Sequence, residues 1–104
     1  MNYLDKFKLD TKVTLVTGGA GGIGKEICKA LLDAKSTVIL ADINEKKSNA
    51  FIKSLKKSKN KIVFFKLDAT SEKNINELKI IILKKYKKLD ILINAINLTG
   101  LNIG

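Results

Sequence analysis

Arginine, histidine, proline and tryptophan are absent from this sequence of 104 residues, and cysteine occurs once, as Cys28. A single cysteine cannot form an internal disulfide, which excludes the disulfide-stabilised small secreted domains. No apolar run approaches the roughly 20 residues that a membrane-spanning helix needs. The opening stretch, MNYLDKFKLD, contains acidic side chains and lacks the apolar segment of a secretory signal. We therefore expect a cytoplasmic protein without a membrane partner.

The charge is strongly biased to one sign, with a formal net charge of +10. Such a bias can indicate a nucleic-acid partner. All 20 basic residues are lysine, however, whereas arginine is the usual reader of base edges and the usual bidentate clamp on phosphate. The lysines are also scattered over the predicted helices and strand ends. We interpret them as a solvated coat and expect no nucleic-acid partner.

Four short apolar runs alternate with amphipathic segments. The runs predict strands at residues 12–17, 36–42, 61–68 and 89–95. Asn44 and Ser71 are placed to cap the second and third helices, the second reaching to about Ser58. This alternation predicts a Rossmann-like, doubly wound α/β fold with a parallel sheet. Four strands in the order 3-2-1-4 with three helices make it incomplete, so residues 1–104 are expected to form one partial domain.

The apolar spacing also predicts which face of each helix packs on the sheet. On the first helix this face comprises Ile23, Ile27, Ala30, Leu31 and Ala34. On the second it comprises Ala50, Phe51 and Leu55, and on the third Ile75, Leu78, Ile82 and Tyr86. Cys28 is expected to be a small core or surface residue without a chemical role.

The stretch LVTGGAGGIGKEI, residues 15–27, contains three overlapping nucleotide-loop patterns. They are the dinucleotide pattern G-x-G-x-x-G, most of a Walker A pattern, G-x-x-x-x-G-K, and the pattern T-G-x-x-x-G-I-G. A Walker A loop needs Ser or Thr after its lysine to hold Mg²⁺, and Glu26 follows Lys25 instead. We therefore interpret Lys25 as a coincidence of the overlap, which leaves the two dinucleotide patterns.

Both dinucleotide patterns place glycines between the first strand and the first helix. Glycine there permits positive φ and lets a pyrophosphate approach the free N–H groups of the helix N-terminus, and Gly24 lets the helix pack closely. Asp42 ends the second predicted strand, 18 positions beyond Gly24. A carboxylate in that position accepts hydrogen bonds from the adenosine ribose and repels a 2′-phosphate. Because residues 19–21 and 43–45 include no cation, NAD is favoured over NADP.

Asp68 closes the third predicted strand and has two interpretations. It could hydrogen-bond the adenine edge of a nucleotide, or it could cap the helix that follows Thr70 and Ser71. The sequence does not choose between them.

The segments TGGAGGIG, ADIN, KLDAT and LDILINA, in this order, resemble the N-terminal part of the short-chain dehydrogenase/reductase family. The family loop T-G-x-x-x-G-I-G is matched at Thr17, Gly18, Gly22, Ile23 and Gly24. The resemblance implies that Thr17 braces the loop and that the other four residues line the pyrophosphate site. It further implies that Asp42 holds the ribose and that Asp68 meets adenine. It extends to about Ala95, the first two-fifths or so of the family's usual length.

The end of the fourth predicted strand departs from the family pattern. Asn94 matches the first asparagine of the family's N-N-A-G and would support the nicotinamide-side ribose. Ala95, Ile96 and Asn97 replace the remaining three residues.

The fourth strand is also expected to be an exposed sheet edge, which favours self-association.

The resemblance implies hydride transfer between a nicotinamide cofactor and an alcohol or carbonyl carbon of a small-molecule substrate, in a complete enzyme. The family's chemistry uses a Ser together with a Tyr-x-x-x-Lys pair. Here Tyr3 is followed four positions later by Phe7, and Tyr86 by Asp90. We therefore expect no catalytic residue, no metal site and no turnover by this chain alone. The alternative hypothesis is a stand-alone adenine-nucleotide-binding module.

Overall fold

A computed structural model describes residues 9–55, 61–68 and 70–95 of the chain. The strands are β1 (Val13–Thr17), β2 (Thr37–Asp42), β3 (Ile62–Lys66) and β4 (Ile91–Asn94). The helices are α1 (Gly22–Asp33), α2 (Glu45–Ser54) and α3 (Glu72–Tyr86). All strand pairs are parallel, and the sheet order is β3-β2-β1-β4. The predicted α/β fold, strand order and helix count are confirmed.

The central strand β1 is buried along its whole length, which explains why its sequence is a continuous apolar and β-branched run. Successive side chains of a strand point to opposite faces, so Val16 packs in the cluster with α1 and α2, and Leu15 in the cluster with α3. Two threonines of the strand, Thr14 and Thr17, are also buried, and the Thr14 hydroxyl lies 3.0 Å from that of buried Ser36. This bond satisfies both hydroxyls inside the core.

Two side-chain caps begin helices where the sequence predicts them. The Asn44 side chain accepts a hydrogen bond from the Lys47 N–H at 2.9 Å, and Ser71 accepts one from the Asn74 N–H at 3.2 Å. The predicted end of α2 at about Ser58 is wrong, because the helix stops at Ser54 and the next residue has extended backbone angles. Residues 56–60 lie outside the described part of the chain.

The packing face of α1 differs from the predicted one. Leu31 is buried and Ile27 packs against the core as predicted, but Ile23 is 43% exposed and Ala30 is exposed. The other buried residues are Gly24, Cys28 and Leu32. The physical cause is the contact made by Gly24. A Cβ built on it would lie 2.6 Å from both the Gly18 carbonyl oxygen and the Gly19 Cα. Because Gly24 must face this backbone, the residues four, seven and eight positions later face the sheet with it.

The predicted packing face is partly wrong on α2 and is confirmed on α3. Ala50 on α2 is exposed, so its predicted inward position is wrong, while Phe51 is 6% exposed and packs against the sheet. Ser48, whose hydroxyl donates to the Asn44 carbonyl at 2.8 Å, is the other buried residue of this helix. On α3 the predicted face is confirmed. Leu78 and Ile82 are buried, and Ile75 and Tyr86 pack against the same cluster.

Asp90, just before β4, fastens that strand to β1. Its Oδ2 accepts a hydrogen bond from the Val13 N–H at 2.8 Å, and its own N–H donates to the Val13 carbonyl at 3.0 Å. The same oxygen lies 3.3 Å from the Lys88 ammonium. The hydrogen bond from Val13 is the main cause that lowers the pKa of Asp90, with further contributions from the charges of Lys88 and Lys12.

Replacing Gly24 by alanine should destabilise the protein, and replacing Gly22 should not. The new Cβ at Gly24 meets main-chain atoms that cannot rotate away, which should lower the free energy of unfolding by about 1–3 kcal/mol. A Cβ at Gly22 meets nothing within 4 Å, and alanine favours helix, so Gly22→Ala should equal or slightly exceed the wild type. Urea unfolding measures the free energy of unfolding of both variants. Equal stability of the two variants would contradict the close contact.

The stability of the protein should depend on pH through the ionisation of the Asp90 carboxylate. Because its pKa is lower in the folded than in the unfolded chain, the carboxylate stabilises the fold above the ordinary pKa of 3.8 and loses this effect as the pH falls through the lower, folded value. Asp90→Asn should therefore be less stable than the wild type near neutral pH, and the difference should shrink below pH 3.8. Urea midpoints across the acid range measure this, with exposed Asp33→Asn as the control. A difference between wild type and Asp90→Asn that does not change with pH would refute the role of the charge.

Candidate functional site

The carboxyl ends of the four parallel strands meet at one edge of the sheet and bring polar residues together there. Thr17, Asp42 and Asn94 are the last residues of β1, β2 and β4, and Asp68 lies two positions beyond the end of β3. Across the sheet they follow the order Asp68, Asp42, Thr17, Asn94. In open parallel sheets this edge is the usual place of ligand binding.

The glycine loop joins β1 to α1 at this edge. Gly18 has φ 73°, a left-handed conformation that disfavours any residue with a side chain, and its N–H donates to the Ala41 carbonyl at 2.7 Å. Gly21 is the N-cap of α1 and supplies no side-chain cap, and the first turn contains no acidic residue. The first N–H groups of α1 therefore remain available to an anion.

Asp42 connects the glycine loop to the start of α2. One carboxylate oxygen accepts a hydrogen bond from the Ala20 N–H at 3.0 Å, and the other accepts one from the Asn44 N–H at 2.8 Å. These bonds fix the direction of the side chain. Each carboxylate oxygen can accept more than one hydrogen bond, so both retain acceptor capacity for a ligand hydroxyl.

Asp68 organises the turn before α3 without capping the helix by its side chain. Its Oδ1 accepts hydrogen bonds from the Thr70 hydroxyl at 2.6 Å and the Thr70 N–H at 3.0 Å. The hydroxyl bond is the largest cause that lowers the pKa of Asp68, followed by the N–H bond. Since Ser71 is the N-cap of α3, the interpretation of Asp68 as that helix's side-chain cap is not needed.

A cavity of about 420 Å³ opens among these elements. Three of the predicted site residues line it, namely Gly18, Asp42 and Asp68. It is also lined by residues that the sequence analysis missed, among them Lys47, Leu67 and Thr70. No sequence signal singles out Lys47, because the Asn44 cap uses its main-chain N–H and does not depend on its side chain.

The other five predicted residues do not line this cavity. The Thr17 hydroxyl is buried and donates to the Ile93 carbonyl at 3.5 Å, so this bond connects the end of β1 to β4. Gly22 and Ile23 begin α1, Ile23 is 43% exposed, and Gly24 packs on the loop. Asn94 is exposed opposite Thr17 in the β1–β4 register.

The described residues contain few groups suited to other chemistry. Within residues 9–55, 61–68 and 70–95, no cluster of three or more His, Cys, Asp or Glu side chains could hold a metal ion. Over the same ranges no helix is long and apolar enough to cross a membrane. Burial raises the pKa of the Cys28 thiol to about 12, so this residue is a protonated core side chain at neutral pH and not a nucleophile. Ile96, Asn97, Tyr3 and Phe7 lie outside the described ranges.

Comparison with known proteins places this site in a family. The family model for short chain dehydrogenases matches residues 12–102. The chain is 36% identical over 96 residues to (-)-isopiperitenone reductase of Mentha piperita, an alignment that covers 88% of the chain and 31% of the relative. It is 32% identical over 90 residues to 7alpha-hydroxysteroid dehydrogenase of Escherichia coli K12, covering 86% of the chain and 35% of the relative.

Solved structures agree with the sequence relatives. The crystal structure of gox2181 superposes with a TM-score of 0.79 at 28% identity, covering 89% of this chain and 36% of that one. The crystal structure of hydroxysteroid dehydrogenase from Escherichia coli superposes with a TM-score of 0.77 at 32% identity, covering 86% of this chain and 38% of that one. The chain thus spans about a third of the length of these relatives.

The matched third is the part that contains the glycine loop and the ends of β1 to β4. Members of the family are oxidoreductases that bind nicotinamide dinucleotide cofactors. With a family model covering most of its length and relatives above 30% identity, this chain belongs to the short-chain dehydrogenase family and corresponds to its N-terminal, nucleotide-binding region.

Proposed function

We propose that residues 1–104 form one partial domain that binds the adenosine end of a nicotinamide dinucleotide for an oxidoreductase. The single observation that carries this proposal is the Asp42 carboxylate, held by two main-chain N–H groups at the rim of a cavity beside the uncapped N-terminus of α1. A carboxylate fixed there suits paired ribose hydroxyls, and a free helix N-terminus suits the neighbouring pyrophosphate.

The residues present fit such a cofactor in named positions. The main chain of Gly18, Gly22, Ile23 and Gly24 would approach the pyrophosphate, and the left-handed Gly18 together with the contact at Gly24 supports this assignment. Asp42 would accept the ribose hydroxyls, and Asp68, which lines the same cavity, would lie at the adenine side. Thr17 would hold the loop's strand against β4, and Asn94 would support the nicotinamide-side ribose.

NAD is the proposed cofactor, and NADP is less favoured. The Asp42 carboxylate would repel the 2′-phosphate that distinguishes NADP, and residues 19–21 and 43–45 provide no cation to offset that repulsion. When bound in a complete enzyme, the nicotinamide ring would accept or donate the hydride. The substrate would be a small alcohol or carbonyl compound.

This chain alone should carry out no turnover, because it has no Tyr-x-x-x-Lys pair. A stand-alone nucleotide module is not favoured, since the relatives it matches are reductases and dehydrogenases. A cytoplasmic location remains a prediction, consistent with the buried free thiol of Cys28. Self-association is also still a prediction: among the described residues β4 pairs only with β1, which leaves its other edge to be covered.

Calorimetric titration of the chain with NAD⁺ should show saturable binding that Asp42→Ala weakens about tenfold or more, because hydrogen bonds to a charged group contribute roughly 1.5–3 kcal/mol. ADP, which contains the adenosine half of the cofactor, should show the same dependence on Asp42. Nicotinamide mononucleotide, which lacks that half, should give no saturable heat.

The matched control is Asp33→Ala, which removes an exposed carboxylate from the far end of α1. Its affinity for NAD⁺ should equal that of the wild type. Circular dichroism establishes that each variant is folded before titration. The proposal would be contradicted by a folded wild-type chain that binds neither NAD⁺ nor ADP.

A further inference from the structure

Asn44 holds the Asp42 carboxylate through its main chain and is itself held by three hydrogen bonds from the first turn of α2. Its N–H donates to Asp42 Oδ1 at 2.8 Å, and its side chain accepts from the Lys47 N–H at 2.9 Å. Its carbonyl accepts from the Ser48 N–H at 3.1 Å and from the Ser48 hydroxyl at 2.8 Å. One residue therefore connects the proposed ribose acceptor to the start of a helix.

Ser48 anchors this turn inside the protein. It is fully buried, whereas Asn44 and its neighbours Ile43 and Glu45 are exposed. A buried hydroxyl needs a hydrogen-bond partner, and the Asn44 carbonyl provides one. Because α2 packs on the sheet through Phe51, the Ser48 hydroxyl ties the exposed turn to the buried side of the helix.

The direction of the Asp42 carboxylate depends on this turn because its two hydrogen bonds come from different elements. The Ala20 N–H belongs to the glycine loop, and the Asn44 N–H belongs to the start of α2. If the Asn44 N–H moves, Oδ1 loses its donor and the carboxylate can rotate about the remaining bond. An acceptor that is already fixed loses less freedom when a ligand binds, so a loosened carboxylate should bind paired hydroxyls more weakly.

We propose that Asn44 and Ser48 are positioning residues that hold the Asn44 N–H on the Asp42 carboxylate and thereby orient this carboxylate for the adenosine ribose. The inference rests on the proposed function, because it needs the ribose at Asp42. Ser48 acts only through Asn44, since it is buried and does not line the cavity that contains Asp42. Asn44 does line that cavity, so its capping role must be separated from a direct contact with the ligand.

Calorimetric titration with ADP and NAD⁺ should show weaker binding when the turn is loosened. Asn44→Ala removes the cap and should raise both dissociation constants about three- to fivefold, less than Asp42→Ala does, because the carboxylate is still present. Ser48→Ala should raise them about twofold, since it removes one of the two bonds to the Asn44 carbonyl. Asn44→Ser should keep the wild-type affinity, because serine caps a helix about as well as asparagine.

A double-mutant cycle tests whether Asn44 acts through Asp42. In the Asp42→Ala background, neither Asn44→Ala nor Ser48→Ala should change the ADP constant further. If Asn44→Ala weakens ADP equally in both backgrounds, its side chain contacts the nucleotide directly and the positioning role is overturned.

Ser54→Ala is the matched control for Ser48→Ala. The Ser54 hydroxyl also donates to a main-chain carbonyl of α2, that of Phe51, but at the other end of the helix. Ser54 lines the groove between α1 and α2, a second cavity of about 440 Å³ that Lys47 also lines, and does not line the cavity of Asp42. Ser54→Ala should leave both constants unchanged. Circular dichroism and urea unfolding of each variant separate lost affinity from lost stability.

The remaining outcomes distinguish this inference from the proposed function. Binding that depends on Asp42 but is unchanged in Asn44→Ala and Ser48→Ala would overturn the inference alone. Equal losses in Ser48→Ala and Ser54→Ala would assign the effect to the general stability of α2 and would also overturn it. No binding of either nucleotide by the folded wild-type chain would overturn the proposed function with it.

Discussion

The close approach of α1 to the loop that precedes it is the constraint on which the site depends. Only a residue without a Cβ fits position 24 without displacing its neighbours, because the Gly18 and Gly19 main chain passes within 3 Å of the place a Cβ would take. This contact brings the N-terminus of the helix to the end of β1. It also fixes the rotation of the helix, because Cys28 and Leu31 follow Gly24 inward. The rotation of α1 and the position of its N-terminus beside β1 therefore have one cause.

The helix caps and the position of Asp42 could be predicted because each depends on a local pattern, whereas the strand order was predicted from the fold type that the alternation of strands and helices indicates. A β-branched run such as β1 is suited to burial on two faces, and Asn44 and Ser71 satisfy N–H groups within their own turns. Asp42 is placed by the end of β2 alone. Apolar spacing predicts the inward positions of Leu31 and Ile27 but wrongly includes Ile23 and Ala30, whereas counting from Gly24 gives the observed face. A steric requirement decided the rotation where hydrophobicity was ambiguous.

Residues that meet only through the tertiary fold could not be predicted in the same way. Lys47 is one of 20 lysines, and nothing in its immediate sequence distinguishes it from Lys46. Its position between two cavities arises because α1 and α2 pack side by side on the same face of the sheet. The two hydrogen bonds of Asp42 likewise join a loop and a helix start that are 24 residues apart from Ala20 to Asn44. The number of lysines therefore describes the charge of the surface but does not identify the residues that line the site.

The two sides of the sheet contribute unequally to the proposed cofactor site. A dinucleotide lies across the switch point of a doubly wound sheet, here between β1 and β4, where the adjoining helices lie on opposite faces. On the β2 and β3 side, Asp42 and Asp68 are each held by two described hydrogen bonds and line a cavity. On the β4 side, the described chain contributes exposed Asn94 and buried Ala95. If the proposed function is correct, the described chain would supply recognition of the adenosine half of the cofactor and little on the nicotinamide side.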